Sequence, residues 1–68
     1  MDIPLAPVER ILRRAGAKRV SKSAVEEFAA VLEEIAADIA RESAKLAAHA
    51  GRKTIQVEDV KLARKRGF

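Results

Sequence analysis

Residues 21–50 read SKSAVEEFAAVLEEIAADIARESAKLAAHA, a run without Gly or Pro that is dominated by Ala, Glu, Leu and Ile. These are mostly good helix formers, so the run predicts a single helix from about Ser21 to residue 49 or 50. About 29 residues at 1.5 Å each make a helix on the order of 43 Å long. Ser21 is a candidate N-cap, but Ser23 with Glu26 also has capping-box spacing, which would start the helix two residues later.

The apolar residues of this helix recur at near-heptad spacing, and a second row of smaller residues widens the stripe. A rod of this length exceeds the width of a compact 68-residue globule, and two short flanking helices cannot cover it. The second half of the stripe therefore needs another copy of the chain. The large members, which we take as the core of that dimer, are Phe28, Leu32, Ile35 and Ile39, and the series continues to Leu46 past Ser43.

A shorter helix is predicted on each side of this rod. The first runs from about Pro4 to Ala15 and stops at Gly16, because Pro suits a helix start and Gly a helix end. The last covers about Val57 to Arg66, with acidic residues in its first turn and basic residues in its last. Two short basic loops, 17–20 and 51–56, contain β-branched residues that could pair briefly as a strand. We therefore expect one all-α domain over residues 1–68.

Composition excludes several functional classes. There is no Cys to form a disulfide, and the lone His49 has neither a nucleophile nor metal co-ligands at suitable spacing, so we expect no metal, no cofactor and no catalysis. Aromatic residues make up 3% of the chain, too few for a typical small-molecule pocket. No apolar run approaches the ~20 residues of a membrane helix, and the two prolines near the start do not fit a signal peptide. A soluble intracellular protein is expected.

Charge is unevenly distributed along the chain, whose net charge is +4. Residues 1–22 and 52–68 each carry six basic and two acidic side chains, whereas residues 23–51 carry two basic and six acidic. If the fold brings the two cationic ends together, they form one concentrated basic surface. Such a surface suggests a polyanionic partner.

The order of elements and several short motifs resemble the archaeal histones over nearly the whole chain without a gap. The most specific match is HAGRKTI at 49–55 followed by EDV at 58–60. The other matching stretches are IPLAP (3–7), AGA (15–17), RVS (19–21) and LEEI (32–35).

This resemblance implies a histone-fold dimer in which two long helices cross antiparallel and the first loop of one protomer lies beside the second loop of the other. It implies sequence-independent binding, wrapping and compaction of double-stranded DNA at the nucleoid, by a homodimer or by a heterodimer with a paralogous histone. A protein-interaction subunit of a transcription or assembly complex is the alternative. Retention of Arg10, Arg19, Lys53 and Thr54 argues against that alternative.

The resemblance also assigns roles to residues at the DNA edge. Arg10 and Arg13 match phosphate-contacting positions on the first helix, and Arg14 lies beside them. Arg19 matches a residue that enters the minor groove, next to the partner's second loop. Lys53 and Thr54 match phosphate ligands of that loop.

Three further sets are implied by the resemblance. Arg52 and Asp59 match an intrachain ion pair that fixes the shape of the second loop. Leu46, His49, Asp59 and Leu62 match a contact between dimers. Residues matching those that link stacked turns of a long superhelix are Gly16, Glu34, Lys61 and Lys65, although Lys18, Ala30 and Ala37 depart from the charged pattern of better-known relatives.

Overall fold

The computed structural model describes residues 3–67, which form three helices: α1 (Leu5–Arg14), α2 (Lys22–His49) and α3 (Val57–Gly67). The prediction of an all-helical chain with a long central helix is confirmed. No residue from 3 to 67 lies in a β-strand. A strand needs a second backbone to pair with, so brief pairing of the loops remains a prediction about an assembly.

Both connecting loops follow a helix that ends in the same pattern of backbone hydrogen bonds. At the end of α1, the Ala17 N–H donates to the Leu12 carbonyl at 3.3 Å and the Gly16 N–H to the Arg13 carbonyl at 3.0 Å. Gly16 has a φ of +118°, which explains why glycine stands there. This is the Schellman pattern, which satisfies the last carbonyls of a helix.

The end of α2 repeats that pattern. The Arg52 N–H donates to the Ala47 carbonyl and the Gly51 N–H to the Ala48 carbonyl, each at 2.9 Å. Gly51 has a φ of +74°, close to the left-handed helical region. The helices before the two loops, α1 and α2, therefore end in the same motif.

The helix starts are fixed by side chains. Ser21 Oγ accepts the Ala24 N–H at 3.1 Å, so Ser21 caps α2, and the alternative start at Ser23 with Glu26 is wrong. At α3, Asp59 Oδ2 accepts the Gln56 N–H at 2.8 Å. Asp59 lies three residues after the capping position, where a carboxylate can reach back as in a capping box.

Two compact units share α2, and the division falls between Glu34 and Ile35. In the first unit, Val8 on α1 is buried against Val25 and Ala29 on α2. Partly buried apolar residues surround this small core: Ile3, Leu12, Val20, Phe28 and Leu32.

In the second unit, the buried residues are small or polar. Ala47 and Ala63 are 2% and 1% exposed, and Ser43 fills the gap in the apolar series of α2 with 1% exposure. The Ser43 hydroxyl donates to the Ile39 carbonyl at 2.7 Å, so its burial leaves no unsatisfied donor. Arg66 near the end of α3 pairs with Glu42 on α2 at 3.0 Å.

The single chain leaves its larger apolar side chains incompletely covered. All four predicted dimer-core residues, from Phe28 to Ile39, are half-buried rather than buried. Among residues 3–67, the buried apolar side chains are all valines and alanines. Large residues with more than a third of their surface exposed are Leu5, Ile11, Val31, Ile55, Val57, Val60 and Leu62.

Candidate nucleic-acid interface

The first candidate surface combines the last turns of α1 with the loop that follows. Arg10, Arg14, Lys18 and Arg19 are all exposed. Their side chains form no ion pair with any carboxylate of residues 3–67. Cationic side chains in this condition are available to phosphate oxygens.

Arg13 differs from its neighbours because its side chain is engaged within the chain. Its Nε donates to Glu9 Oε2 at 2.9 Å, one helical turn back, and its Nη1 donates to the Lys18 carbonyl at 3.4 Å. The Arg13 and Glu9 side chains are 51% and 43% exposed. The ion pair is therefore accessible to solvent and to competing anions.

The second candidate surface is the loop between α2 and α3. Lys53 and Thr54 are exposed, and the Lys53 ammonium has no carboxylate partner among the described residues. Arg52 is held inward instead: its Nη1 donates to the Thr54 carbonyl at 3.0 Å and to Asp59 at 2.8 Å. Arg52 thus shapes the loop that presents its two neighbours.

Asp59 is the most heavily bonded side chain of this loop. Oδ1 accepts from Arg52 Nη2 at 2.9 Å, and Oδ2 accepts from Arg52 Nη1 and from the Gln56 N–H, both at 2.8 Å. The Arg52 hydrogen bonds, followed by the Gln56 N–H, lower the pKa of Asp59 to about 2. The same pairing raises the pKa of Arg52. Both groups are therefore charged near neutral pH.

The residues expected at a contact between dimers differ in accessibility. His49 is exposed, Leu62 is 44% exposed and Leu46 is half-buried. Asp59 is 5% exposed, and its carboxylate already accepts three hydrogen bonds. The four residues expected in stacking, Gly16, Glu34, Lys61 and Lys65, are all exposed.

Two other kinds of site are absent from the described part of the chain. Residues 3–67 contain no group of three or more His, Cys, Asp or Glu side chains arranged to hold a metal ion. Nor does any helix within them combine the length and apolar character needed to cross a bilayer.

Sequence reasoning missed two contributors to these surfaces. Glu9 lies four residues before Arg13, a spacing that favours a helical ion pair, so the sequence does carry a signal for this contact. The bond from the Gln56 N–H to Asp59 was harder to foresee, because Gln is not a usual N-cap and the Ser or Thr of a standard capping box is absent.

Comparison of the sequence with known proteins identifies several relatives of this chain. The sequence profile of the family described as histone-like transcription factor (CBF/NF-Y) and archaeal histone matches residues 1–63. A probable archaeal histone 3 of Methanocaldococcus jannaschii is 60% identical over 91% of this chain and 92% of its own length. One subunit of the archaeal histone HAN1 of Thermococcus zilligii is 47% identical with the same coverage. Histone H4 of Euplotes crassus is 41% identical over 87% of this chain and 55% of its own length.

Proposed function

This chain belongs to the family of histone-like transcription factors (CBF/NF-Y) and archaeal histones, which are non-enzymatic DNA-binding chromatin proteins, and from this premise we propose that it compacts double-stranded DNA as a homodimer. Binding is independent of base sequence and rests on phosphate neutralisation and on arginines in the minor groove. The protein associates with the nucleoid, and pairing with a paralogous histone is a variation of the same scheme.

The observation that carries this proposal is a set of exposed cations on α1 and in the two loops that no carboxylate of residues 3–67 neutralises. Arg52 and Arg66 are paired with carboxylates and hold the protein's own elements together. The exposed set has two members on α1, two in the first loop and one in the second, beside the Thr54 hydroxyl: Arg10, Arg14, Lys18, Arg19 and Lys53. The other exposed cations without a carboxylate partner among residues 3–67 lie on α2 and α3: Lys22, Lys45, Lys61, Arg64 and Lys65. A protein that binds a polyanion needs such uncommitted charge at its contact surface.

A second copy of the chain is the proposed cover for the half-buried stripe of α2. Phe28 and Val31 border an open apolar hollow beside the first loop, and Ile35 and Ile39 continue the stripe. Pairing of two such stripes would bury these side chains, each worth roughly 1.5–3 kcal/mol when fully removed from water. Because these side chains are already half-buried in the single chain, pairing would add part of that value for each of them.

Dimers are proposed to meet through the region of His49 and Leu62. Both are accessible, whereas Asp59 is largely committed to Arg52 and Gln56. His49 would therefore approach an Asp59 carboxylate that retains acceptor capacity mainly on Oδ1, which takes one bond where Oδ2 takes two. Stacking of longer assemblies would rest on Gly16, Glu34, Lys61 and Lys65, because Ala30 and Ala37 offer no charge.

DNA binding across salt concentrations tests the proposed function. Fluorescence anisotropy with two duplexes of unrelated sequence should give similar affinities, and log K should fall steeply with log salt. Arg19→Ala with Lys53→Ala should weaken binding and reduce the slope by at least about 1.8, since the dimer loses a Lys53 phosphate contact from each protomer and each such contact is worth about 0.9.

Arg41→Ala is the matched control, because Arg41 is an exposed arginine of α2 paired with Asp38 and lies outside both loops. It should bind DNA like the unmodified protein. A flat salt response, or a double variant that binds as tightly as the control, would reject the proposal. A protein that dimerises but leaves plasmid DNA uncompacted would instead belong to the class of protein-interaction subunits.

A further inference from the structure

The first loop is held by a hydrogen bond from α1 that none of the assignments above explains. We propose that Arg13 is a positioning residue, which braces this loop so that Arg19 is presented to DNA, and that Glu9 directs Arg13 to this task. The inference rests on the proposed function, because it concerns the same DNA-binding surface.

The geometry separates the two ends of the Arg13 guanidinium. Glu9, one turn back on α1, takes the Nε–H at 2.9 Å, and Nη1 then reaches the Lys18 carbonyl at 3.4 Å. A guanidinium presents five N–H donors in a rigid plane, so fixing Nε also fixes the direction of Nη1. Glu9 therefore aims Arg13 at the loop.

The braced carbonyl belongs to the peptide that leads into Arg19. The Lys18 C=O and the Arg19 N–H share one rigid plane, so holding the oxygen limits the orientation of the following residue. The loop on either side is already tied, by the Schellman bonds at Gly16 and Ala17 and by the Ser21 cap. Within residues 3–67, the bond from Arg13 is the only hydrogen bond to the backbone of residues 18–20.

The second loop contains a similar device. There Arg52 donates to the Thr54 carbonyl while Asp59 anchors its guanidinium, as Glu9 anchors Arg13. Both loops follow a Schellman motif that contains a glycine, and in both an arginine donates a hydrogen bond to a carbonyl of the loop. They differ in burial, because the Asp59 side chain is 6% exposed and that of Glu9 is 43% exposed.

The exposed brace of the first loop is accordingly the weaker of the two, since solvent screens an accessible ion pair. It still leaves Arg13 with three N–H donors that neither Glu9 nor Lys18 uses. Positioning and phosphate contact are thus separable roles of one side chain, and an experiment can tell them apart.

A double-mutant cycle on DNA binding tests the positioning role. Arg13→Lys keeps the positive charge but lacks the planar fork that reaches both partners. In the presence of Arg19 it should weaken binding by about threefold or more, whereas in an Arg19→Ala background it should have almost no further effect. Arg41→Lys, the same change at an exposed ion pair of α2, should leave affinity unaltered.

Equal losses for Arg13→Lys in both backgrounds would overturn the inference, because Arg13 would then act independently of Arg19. No loss in either background would overturn it as well, since any cation would then suffice. Circular dichroism of each variant establishes that the helices are retained.

A measurement without DNA keeps this inference distinct from the proposed function. NMR order parameters of the free protein should fall at the Lys18, Arg19 and Val20 amides in both Arg13→Lys and Glu9→Ala, from near 0.85 towards the range below about 0.6 that marks flexible backbone. Arg41→Lys should leave them unchanged. Unaltered order parameters in both Arg13→Lys and Glu9→Ala would reject the brace even if DNA binding were established. If the protein did not bind DNA, the order parameters would still test the brace.

Discussion

At the residue scale, Asp59 combines two duties that usually fall to different side chains. It starts α3 by accepting the Gln56 N–H, and it anchors Arg52 for the second loop. The sequence predicts the pairing with Arg52 only through the family resemblance, because a spacing of seven residues across a loop has no fixed geometry of its own. The helix-capping duty has only a weak signal in the sequence, because Asp59 lies in the first turn of α3 but the capping position holds Gln56.

The pKa of Asp59 leads to a prediction about acid stability. Its folded value of about 2 lies below the ordinary 3.8, so the unfolded chain binds the proton more readily. The stabilisation is complete above about pH 4 and is lost as pH falls towards 2. In Asp59→Asn this part of the pH dependence should disappear, and the melting temperature near neutral pH should be several degrees lower.

Thermal melts between pH 2 and 6 measure this difference at one fixed protein concentration. Asp38→Asn, at an exposed aspartate of α2, is the control and should keep the acid dependence of the unmodified protein. Parallel curves for Asp59→Asn and the unmodified protein would contradict the assignment.

The two loop glycines should respond differently to substitution. Neither has any atom of its own chain within 4 Å of an added Cβ, so within one chain the cost of alanine is backbone strain. Gly51 at φ +74° is close to left-handed helix, where an L-residue costs about 1–2 kcal/mol. Gly16 at φ +118° lies outside that region, and Gly16→Ala should cost more than Gly51→Ala.

Urea denaturation of the dimer at a fixed concentration measures both costs. Gly67→Ala is the matched control, because Gly67 is a helical glycine without positive φ and also has open space around it. An order of destabilisation in which Gly51→Ala exceeds Gly16→Ala would show that strain is not the deciding term.

At the element scale, α2 is the part of the fold that the sequence predicts best. Gly and Pro stand only outside it, so its observed bounds, Lys22–His49, differ from the expected ones by about one residue. The apolar stripe is equally evident, since its spacing depends on helix geometry alone. The contacts of α1 with the loop that follows it are not evident from the sequence, because helical spacing does not show which side chain the loop will approach.

A charge placed in the stripe should separate the two protomers. Ile35 is half-buried in the single chain and lies in the middle of the stripe that a second copy is proposed to cover. In Ile35→Glu, pairing would bury an unpaired carboxylate, which is strongly unfavourable. Sedimentation should show loss of the dimer, and circular dichroism should show loss of helix at micromolar concentration. Arg41→Glu, on an exposed part of α2, should still dimerise, and a dimeric Ile35→Glu would contradict the handshake arrangement.

At the scale of the whole molecule, the charge distribution along the sequence predicts where the surface is basic but not which cations are free of ion pairs. The cationic ends and the anionic middle are evident from the sequence. Which cations stay uncommitted depends on local geometry, as the contrast between Arg13 and Arg14 illustrates. Assembly beyond the dimer depends on contacts between copies, which sequence reasoning reaches only by resemblance.

Nuclease protection on long DNA tests the contact between dimers. His49→Ala should shorten the protected length, because His49 is accessible and its removal spares the loop. It is a cleaner change than Asp59→Ala, which would also release Arg52 and Gln56. Arg41→Ala should leave the ladder unchanged, and an identical ladder for His49→Ala would argue against the end-to-end contact.

The small size of the fully buried side chains has a consequence for the life of the protein in a cell. Among residues 3–67 of a single chain, the largest fully buried side chains are those of Val8 and Ser43, and the larger apolar residues of α2 stay partly accessible until a second copy covers them. Folding is therefore tied to abundance, since pairing rises with the number of copies present. We expect unpartnered chains to be degraded quickly and assembled ones to persist, so that turnover itself limits how much free protein accumulates.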